Sequence, residues 1–118
     1  MQIINDEIQP LDYMYMIGDN NGHIKVGISK DPNKRIKELQ TGHPNDLVLL
    51  FTEEFECERN HLLKIERLIH RELRRKNYKM RGEWFTVPDS DIEDVKNIIR
   101  YNRIRYEADT LYFKYRGY

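Results

Sequence analysis

Cysteine is almost absent from this sequence, which contains Cys57 alone. A single cysteine excludes an internal disulfide, and no second cysteine stands at the spacing of a structural zinc finger. A chain of this kind suits a reducing compartment, so we expect a cytoplasmic protein.

Long apolar segments are also absent. No apolar run approaches the roughly 20 residues that are needed to cross a bilayer, so we expect no membrane partner. The first ten residues, MQIINDEIQP, lack a basic region followed by an apolar stretch and are not predicted to be a secretory signal.

The chain also lacks a net charge, because 20 basic residues balance 20 acidic ones. Zero net charge argues against a nucleic-acid partner, but the distribution along the chain argues for one. The stretch RRKNYKMR at 74–81 holds five basic residues and no acid. Two interpretations of this stretch remain open: a phosphate-binding patch, or a solvated helix C-terminus where cations favour the helix dipole.

The length and the periodic patterns predict one small α+β domain that spans residues 1–118. Its predicted element order is β-β-α-β-α-β-α, with a three- to four-stranded antiparallel sheet flanked by helices. Residues 88–118 are predicted to form a C-terminal helix and a basic aromatic tail. The predicted strands are 12–18, 22–29, 46–56 and 83–87, and the predicted helices are 32–40, 57–77 and 89–106.

The first two strands are predicted to form a β-hairpin, because the turn-rich stretch at 19–22 contains Asn-Gly, which supplies a positive φ. The first helix is predicted to begin at Asp31 as its N-cap, with Pro32 in its first turn. Gly42 is the expected C-cap of the same helix.

Glu66 and His70 share one side of the helix predicted at 57–77, since residues four apart are neighbours on a helix surface. On a helical wheel they border the apolar face. A carboxylate in such a place is costly unless a cation or hydrogen-bond donors meet it. Glu66 is therefore either a functional residue or a rim residue that water satisfies.

Two triplets in the hairpin, Tyr13-Met14-Tyr15 and Lys25-Val26-Gly27, resemble the core of the GIY-YIG endonuclease superfamily. The chain is similar to a phage-associated DNA-binding or nuclease branch, in which lysine commonly replaces the tyrosine of the second triplet. The segments that carry this likeness are KVGIS followed by Arg35, Glu66-x-x-x-His70, and Gly82-Glu83-Trp84-Phe85. The resemblance covers residues 12–87 and implies a GIY-YIG-like fold for them.

The resemblance implies metal-dependent hydrolysis of DNA phosphodiester bonds, in a bacterium or in an infected host cell. Tyr15 matches one of the family's tyrosines around the attacking water. Arg35 matches the arginine that binds the scissile phosphate, and Glu66 matches the glutamate that holds a divalent metal. The metal would be Mg²⁺ or Mn²⁺, since Mg²⁺ keeps most of its waters and needs only one or two carboxylates. Arg35 offers a planar fork that matches phosphate oxygens.

Lys25 and His70 complete the expected catalytic set. If Lys25 contacts Tyr15, its positive charge is expected to lower the pKa of the phenol. Leu39 stands where many homing-type members carry a histidine four residues after the arginine, so His70 is a hypothetical replacement for that proton acceptor.

The expected partner is DNA, held through its backbone by exposed cations. A small domain rarely reads a long site alone, so we expect a homodimer or another partner. A DNA-binding module that keeps the fold and cleaves weakly or not at all remains the alternative. The predicted nucleic-acid-binding residues are Lys30, Lys34, Arg74, Arg75, Lys76, Lys79 and Arg81.

Overall fold

A computed structural model describes residues 11–115 of the chain, and the side chains of residues 11–109. It has a five-stranded sheet in the order β3-β1-β2-β5-β4, in which every neighbouring pair is antiparallel. The predicted α+β class is confirmed. The strands are β1 (Leu11–Gly18), β2 (His23–Ser29), β3 (Val48–Glu56), β4 (Met80–Arg81) and β5 (Trp84–Thr86), and the α-helices are α1 (Pro32–Gln40), α2 (Arg59–Arg75) and α3 (Ile92–Tyr115).

The turn between β1 and β2 is held by Asp19, which is only 4% exposed. Its carboxylate accepts hydrogen bonds from the backbone N–H groups of Asn21 and His23, at 2.8 and 3.0 Å, and lies 2.7 Å from Nδ1 of His23. Positive φ angles occur at Asn20 and Gly22, so the Asn-Gly signal correctly marks the hairpin.

Alternation along the strands gives the sheet two different faces. On one face the buried residues Met14, Met16, Ile24 and Val26 pack in the hydrophobic core with apolar residues of α2 and α3. Phe85 of β5 joins this core and is fully buried. Tyr13, Tyr15 and Ile17 alternate with the core residues of β1 and point to the other face, on the side of α1.

The start of α1 forms as predicted, and its end does not. Asp31 caps the helix by accepting a hydrogen bond from the Lys34 N–H at 3.1 Å, and Pro32 lies buried in the first turn. Thr41 ends the helix in a right-handed conformation, and Gly42 does not have the positive φ of a glycine C-cap. The expected role of Gly42 is therefore wrong.

Two short features of the C-terminal half differ from the sequence-based expectation. Met80–Arg81 forms a fifth strand that pairs with β5 through a turn in which Gly82 has a φ of +61°. A two-residue strand has no periodicity to detect, so the basic stretch 74–81 gave no strand signal. The last α-helix begins at Ile92, after a 3₁₀ turn at Asp89–Asp91, and continues to Tyr115 because no Gly or Pro interrupts it earlier.

The start of α2 is fixed to β1 by an ion pair that the sequence pattern did not reveal. Asp12 is 1% exposed and receives two hydrogen bonds of 2.9 Å from the Arg59 guanidinium. The paired fork geometry offsets the cost of burying the carboxylate. Among the described residues, no helix has both the length and the apolar character needed to cross a membrane.

Candidate functional site

Tyr15 is the centre of the candidate site, and it lies against the backbone of Gly27. The two residues are cross-strand partners in the β1–β2 ladder. A Cβ atom placed on Gly27 would stand 2.5 Å from the Tyr15 hydroxyl oxygen and 2.7 Å from Cζ of the same ring. The ring therefore lies over the only residue type that leaves room for it, and its hydroxyl stands directly above Gly27 on β2.

Arg35 of α1 faces the hydroxyl of Tyr15 from the same side of the sheet. The guanidinium lies close enough to the phenol to act on its pKa, through a polar contact and through its charge. Arg35 also contacts Glu38 Oε1 at 3.5 Å, at an exposed position. Because the Arg35 side chain is 41% exposed, the free side of its planar fork can receive a phosphate.

Burial raises the pKa of Tyr15, and Arg35 offsets this rise only in part. The carboxylates of Glu66 and Glu83 also raise it, which means that both lie within electrostatic reach of the phenol. Tyr15 is therefore a neutral phenol at neutral pH and a hydrogen-bonding group rather than a base.

Lys25 is buried, with a side chain 6% exposed, and its Nζ lies 3.2 Å from Glu83 Oε2. The expectation that Lys25 lowers the pKa of Tyr15 is wrong, because that pKa is raised and the cation at the phenol is Arg35. Glu83 stands on the exposed turn between β4 and β5, and it is the acidic partner that this buried ammonium group requires.

The edge of β2 beyond β5 is closed by α2. Only His23 and Ile24 of β2 pair with β5, and Val26 lies past that ladder. His70 Nε2 is 2.8 Å from the carbonyl oxygen of Val26, and since a carbonyl only accepts, the imidazole donates this bond from Nε2. His70 thus ties α2 to the edge of β2 and keeps Nδ1 as its other polar atom.

Glu66 lies one helical turn before His70 and is partly buried, like His70 itself. Since His70 meets the edge of β2 and Glu66 acts on the phenol that lies over β2, the two residues belong to one wall of the site. Tyr15, Arg35 and Glu66 are thereby brought together. Lys25 is linked to these three residues through its ion pair with Glu83, whose carboxylate lies within electrostatic reach of the Tyr15 phenol.

The acidic groups at the site suit a hard cation that keeps most of its waters. In the described part of the chain, no three side chains of His, Cys, Asp or Glu form a metal-binding cluster. Glu66 supplies a carboxylate near the phenol and has no ion-pair partner among the described residues, whereas Glu83 is paired with Lys25; Mg²⁺ is bound in proteins through one or two carboxylates. The donor set fits Mg²⁺ or Mn²⁺ and does not fit a closed zinc site.

The predicted nucleic-acid-binding residues are all exposed, and none of them forms an ion pair within the described residues. They fall into two groups: Lys30 and Lys34 lie near the start of α1, whereas the five residues of 74–81 run from the end of α2, through the connection that follows, to β4. Three more cations of α2 that have no ion pair among the described residues were not predicted as binding residues. They are Lys64, Arg67 and Arg71, and their spacing of three and four residues, which places them on one side of a helix, can be read from the sequence.

Comparisons with known proteins add one finding. A family model described as the T5orf172 domain matches residues 12–102, which run from β1 into α3. This is a phage-associated domain related to nuclease and DNA-binding modules. Comparison with curated proteins and with solved structures gives no match.

Proposed function

The chain belongs to the T5orf172 domain family, and from this premise we propose that it is a metal-dependent, GIY-YIG-type endonuclease that hydrolyses DNA phosphodiester bonds. The observation that carries the proposal is the convergence on Tyr15. The Tyr15 phenol is buried, Arg35 beside it has a free face, and Glu66 lies within electrostatic reach of the phenol. These residue types can position a water, bind a phosphate and hold a divalent ion.

Each residue has a role that follows from its surroundings. Arg35 binds oxygens of the scissile phosphate with its exposed fork and offsets the charge that builds on them. Tyr15 keeps its proton at neutral pH, so its hydroxyl positions the attacking water by hydrogen bonding. Lys25 provides a fixed positive charge, and Glu83 balances that charge from the exposed turn.

Glu66 would hold the divalent ion, and a bound Mg²⁺ or Mn²⁺ would neutralise negative charge on the phosphate oxygens. His70 positions Glu66 by fastening α2 to β2 through the carbonyl of Val26. As the hypothetical proton acceptor, His70 has only Nδ1 available. We expect the protein to act in the cytoplasm of a bacterium or an infected host cell, as a homodimer or with another partner.

The test is nicking of supercoiled plasmid in Mg²⁺ or Mn²⁺. Wild type is expected to nick the plasmid, and Glu66→Gln is expected to lose the activity. Glu72→Gln is the matched control, because Glu72 is an exposed glutamate of the same helix outside the site. Equal nicking by the Glu66 and Glu72 variants would remove Glu66 from the site.

A DNA-binding module without cleavage is the second candidate, and two observations favour it. Leu39 replaces the histidine of many homing-type members, and the raised pKa of Tyr15 leaves that phenol without the character of a base. A gel shift with linear duplex, combined with no nicking in either metal, would establish the module and reject the enzyme.

A further inference from the structure

Helix α2 carries five basic side chains on one side, which we name the α2 basic stripe. At about 100° per residue, and with Leu62 set at zero, the stripe covers an arc from about 120° to 220°. Both glutamates of the helix, Glu66 and Glu72, lie outside this arc. The members of the stripe are Lys64, Arg67, Arg71, Arg74 and Arg75.

All members of the stripe are exposed, and within the described residues none of them has an acidic partner. Two arginines of α3 are paired by contrast: Arg100 contacts Glu93, and Arg103 contacts both Glu53 and Glu107. Four stripe residues also line one groove, together with Leu68 and His70. The stripe is therefore a concentration of uncompensated positive charge on one side of the molecule.

The stripe adjoins the candidate site on the same helix. On the wheel Glu66 falls at about 40° and His70 at about 80°, between the buried face and the nearest stripe residue at about 120°. His70 belongs both to the edge of the site and to the lining of the groove. A strand whose phosphate reaches Arg35 and Glu66 would continue onto the stripe.

We propose that the α2 basic stripe binds the phosphate backbone of duplex DNA that flanks the cleaved bond. This inference rests on the proposed function and adds Lys64, Arg67 and Arg71 to its binding surface. From residue 64 to residue 75 the helix rises about 16 Å, a length over which one DNA strand presents about five phosphates. Arginine predominates in the stripe, and its fork suits phosphate better than a lysine point charge does.

The experiment measures binding of a 30-base-pair fluorescent duplex by anisotropy between 50 and 200 mM NaCl, without divalent metal. The variant Lys64→Gln/Arg71→Gln removes two stripe charges. The control Lys37→Gln removes one exposed cation of α1 that is unpaired in the described chain and lies outside the grooves that the stripe residues line. Lys37 is two residues from Arg35 and so faces about 200° away from it.

Losing two phosphate contacts should reduce the slope of log K against log salt by about 1.8. Across this fourfold salt range, binding by the stripe variant should therefore weaken about 12-fold less than binding by wild type. The control should keep the wild-type slope. Thermal unfolding of both variants checks that these exposed substitutions preserve the fold.

The outcomes separate the stripe from the proposed function. Wild-type binding with equal slopes in the stripe variant and the control overturns the stripe and leaves the nuclease proposal intact. No binding of duplex DNA by wild type at any salt concentration overturns both. Tighter binding of a matched RNA duplex, or of a polyglutamate peptide as an acidic protein surrogate, also overturns the assignment to DNA.

Discussion

Gly27→Ala tests whether the Tyr15 ring lies over Gly27 as described. The new Cβ would lie 2.5 Å from the hydroxyl oxygen and 2.7 Å from Cζ of Tyr15, so the ring must move. Gly27 does not have a positive φ, and alanine therefore fits its backbone conformation. The cost is steric, and overpacking of this kind destabilises by about 1–3 kcal/mol.

The displaced ring loses its place against Arg35, so the same substitution should impair the chemistry. A misplacement of about 1 Å can cost on the order of 10²-fold in rate. Urea unfolding gives the change in the free energy of unfolding, and plasmid nicking gives the change in activity. Gly42→Ala is the matched control, because a Cβ there meets no atom within 4 Å, and it should leave both quantities unchanged.

A double-mutant cycle assigns the effect to Tyr15. In a Tyr15→Val background the shorter side chain no longer reaches Gly27, and Gly27→Ala should cost little. The coupling free energy between the two positions should then be about 1–3 kcal/mol. If Gly27→Ala costs as much in the Tyr15→Val background as in wild type, the ring does not occupy the space above Gly27 and the reasoning fails.

Three further predictions concern groups that hold the site in place. Burial acts to raise the pKa of Asp19, but hydrogen bonds from Asn21 and His23 outweigh it and lower that pKa, so Asp19 stabilises the fold above its unfolded pKa of about 3.9. Asp19→Asn should thus reduce the free energy of unfolding by about 1–2 kcal/mol at pH 6, and by progressively less as the pH falls below 4. A difference between variant and wild type that does not change with pH in urea denaturation would contradict this. Arg59→Met leaves the buried Asp12 carboxylate unpaired and should lower the free energy of unfolding by about 2–4 kcal/mol, a value reduced because Arg59 is partly exposed. In urea denaturation the double variant Asp12→Asn/Arg59→Met should recover part of this loss. Burial, together with the 2.7 Å hydrogen bond to Asp91, raises the pKa of Tyr78 to about 12, so its contribution to stability should fade between about pH 10 and pH 12. Ultraviolet titration of wild type and Tyr78→Phe checks this value, and a Tyr78 that titrates near pH 10 would refute it.

Local features of the fold were predictable because they depend on nearby residues. The hairpin follows from alternation around a turn with Asn and Gly, and the start of α1 follows from Asp31 and Pro32. The helical wheel placed Glu66 and His70 on one side of α2. The resemblance linked Arg35 and Glu66 to Tyr15, and in the structure both lie within electrostatic reach of the Tyr15 phenol.

Contacts between distant residues were not predictable from the pattern. Asp12 and Arg59 are 47 positions apart, and nothing in either local sequence indicates their pairing. The expected effect of Lys25 on Tyr15 depended on a contact between them, but the turn between β4 and β5 brings Glu83 to Lys25. That turn depends on a two-residue strand, which is too short for a sequence signal.

The end of α2 illustrates a local signal with a different meaning. Asn77 lies in the basic stretch 74–81, and in the structure it has a φ of 65° and terminates the helix. Its N–H bonds to the Arg74 carbonyl, and the Tyr78 N–H bonds to the Leu73 carbonyl, as in a Schellman motif. A conformation of this kind depends on how the chain leaves the helix, which composition alone does not specify.

The most direct test of the proposed nuclease site is the plasmid-nicking rate of Arg35→Gln beside that of Lys37→Gln. Both substitutions remove one positive charge from α1, but only Arg35 contacts Tyr15. We expect Lys37→Gln to nick like wild type and Arg35→Gln to lose about 10²–10³-fold at saturating protein. If Arg35→Gln nicks at the wild-type rate, Tyr15, Arg35 and Glu66 do not form the site that cleaves DNA.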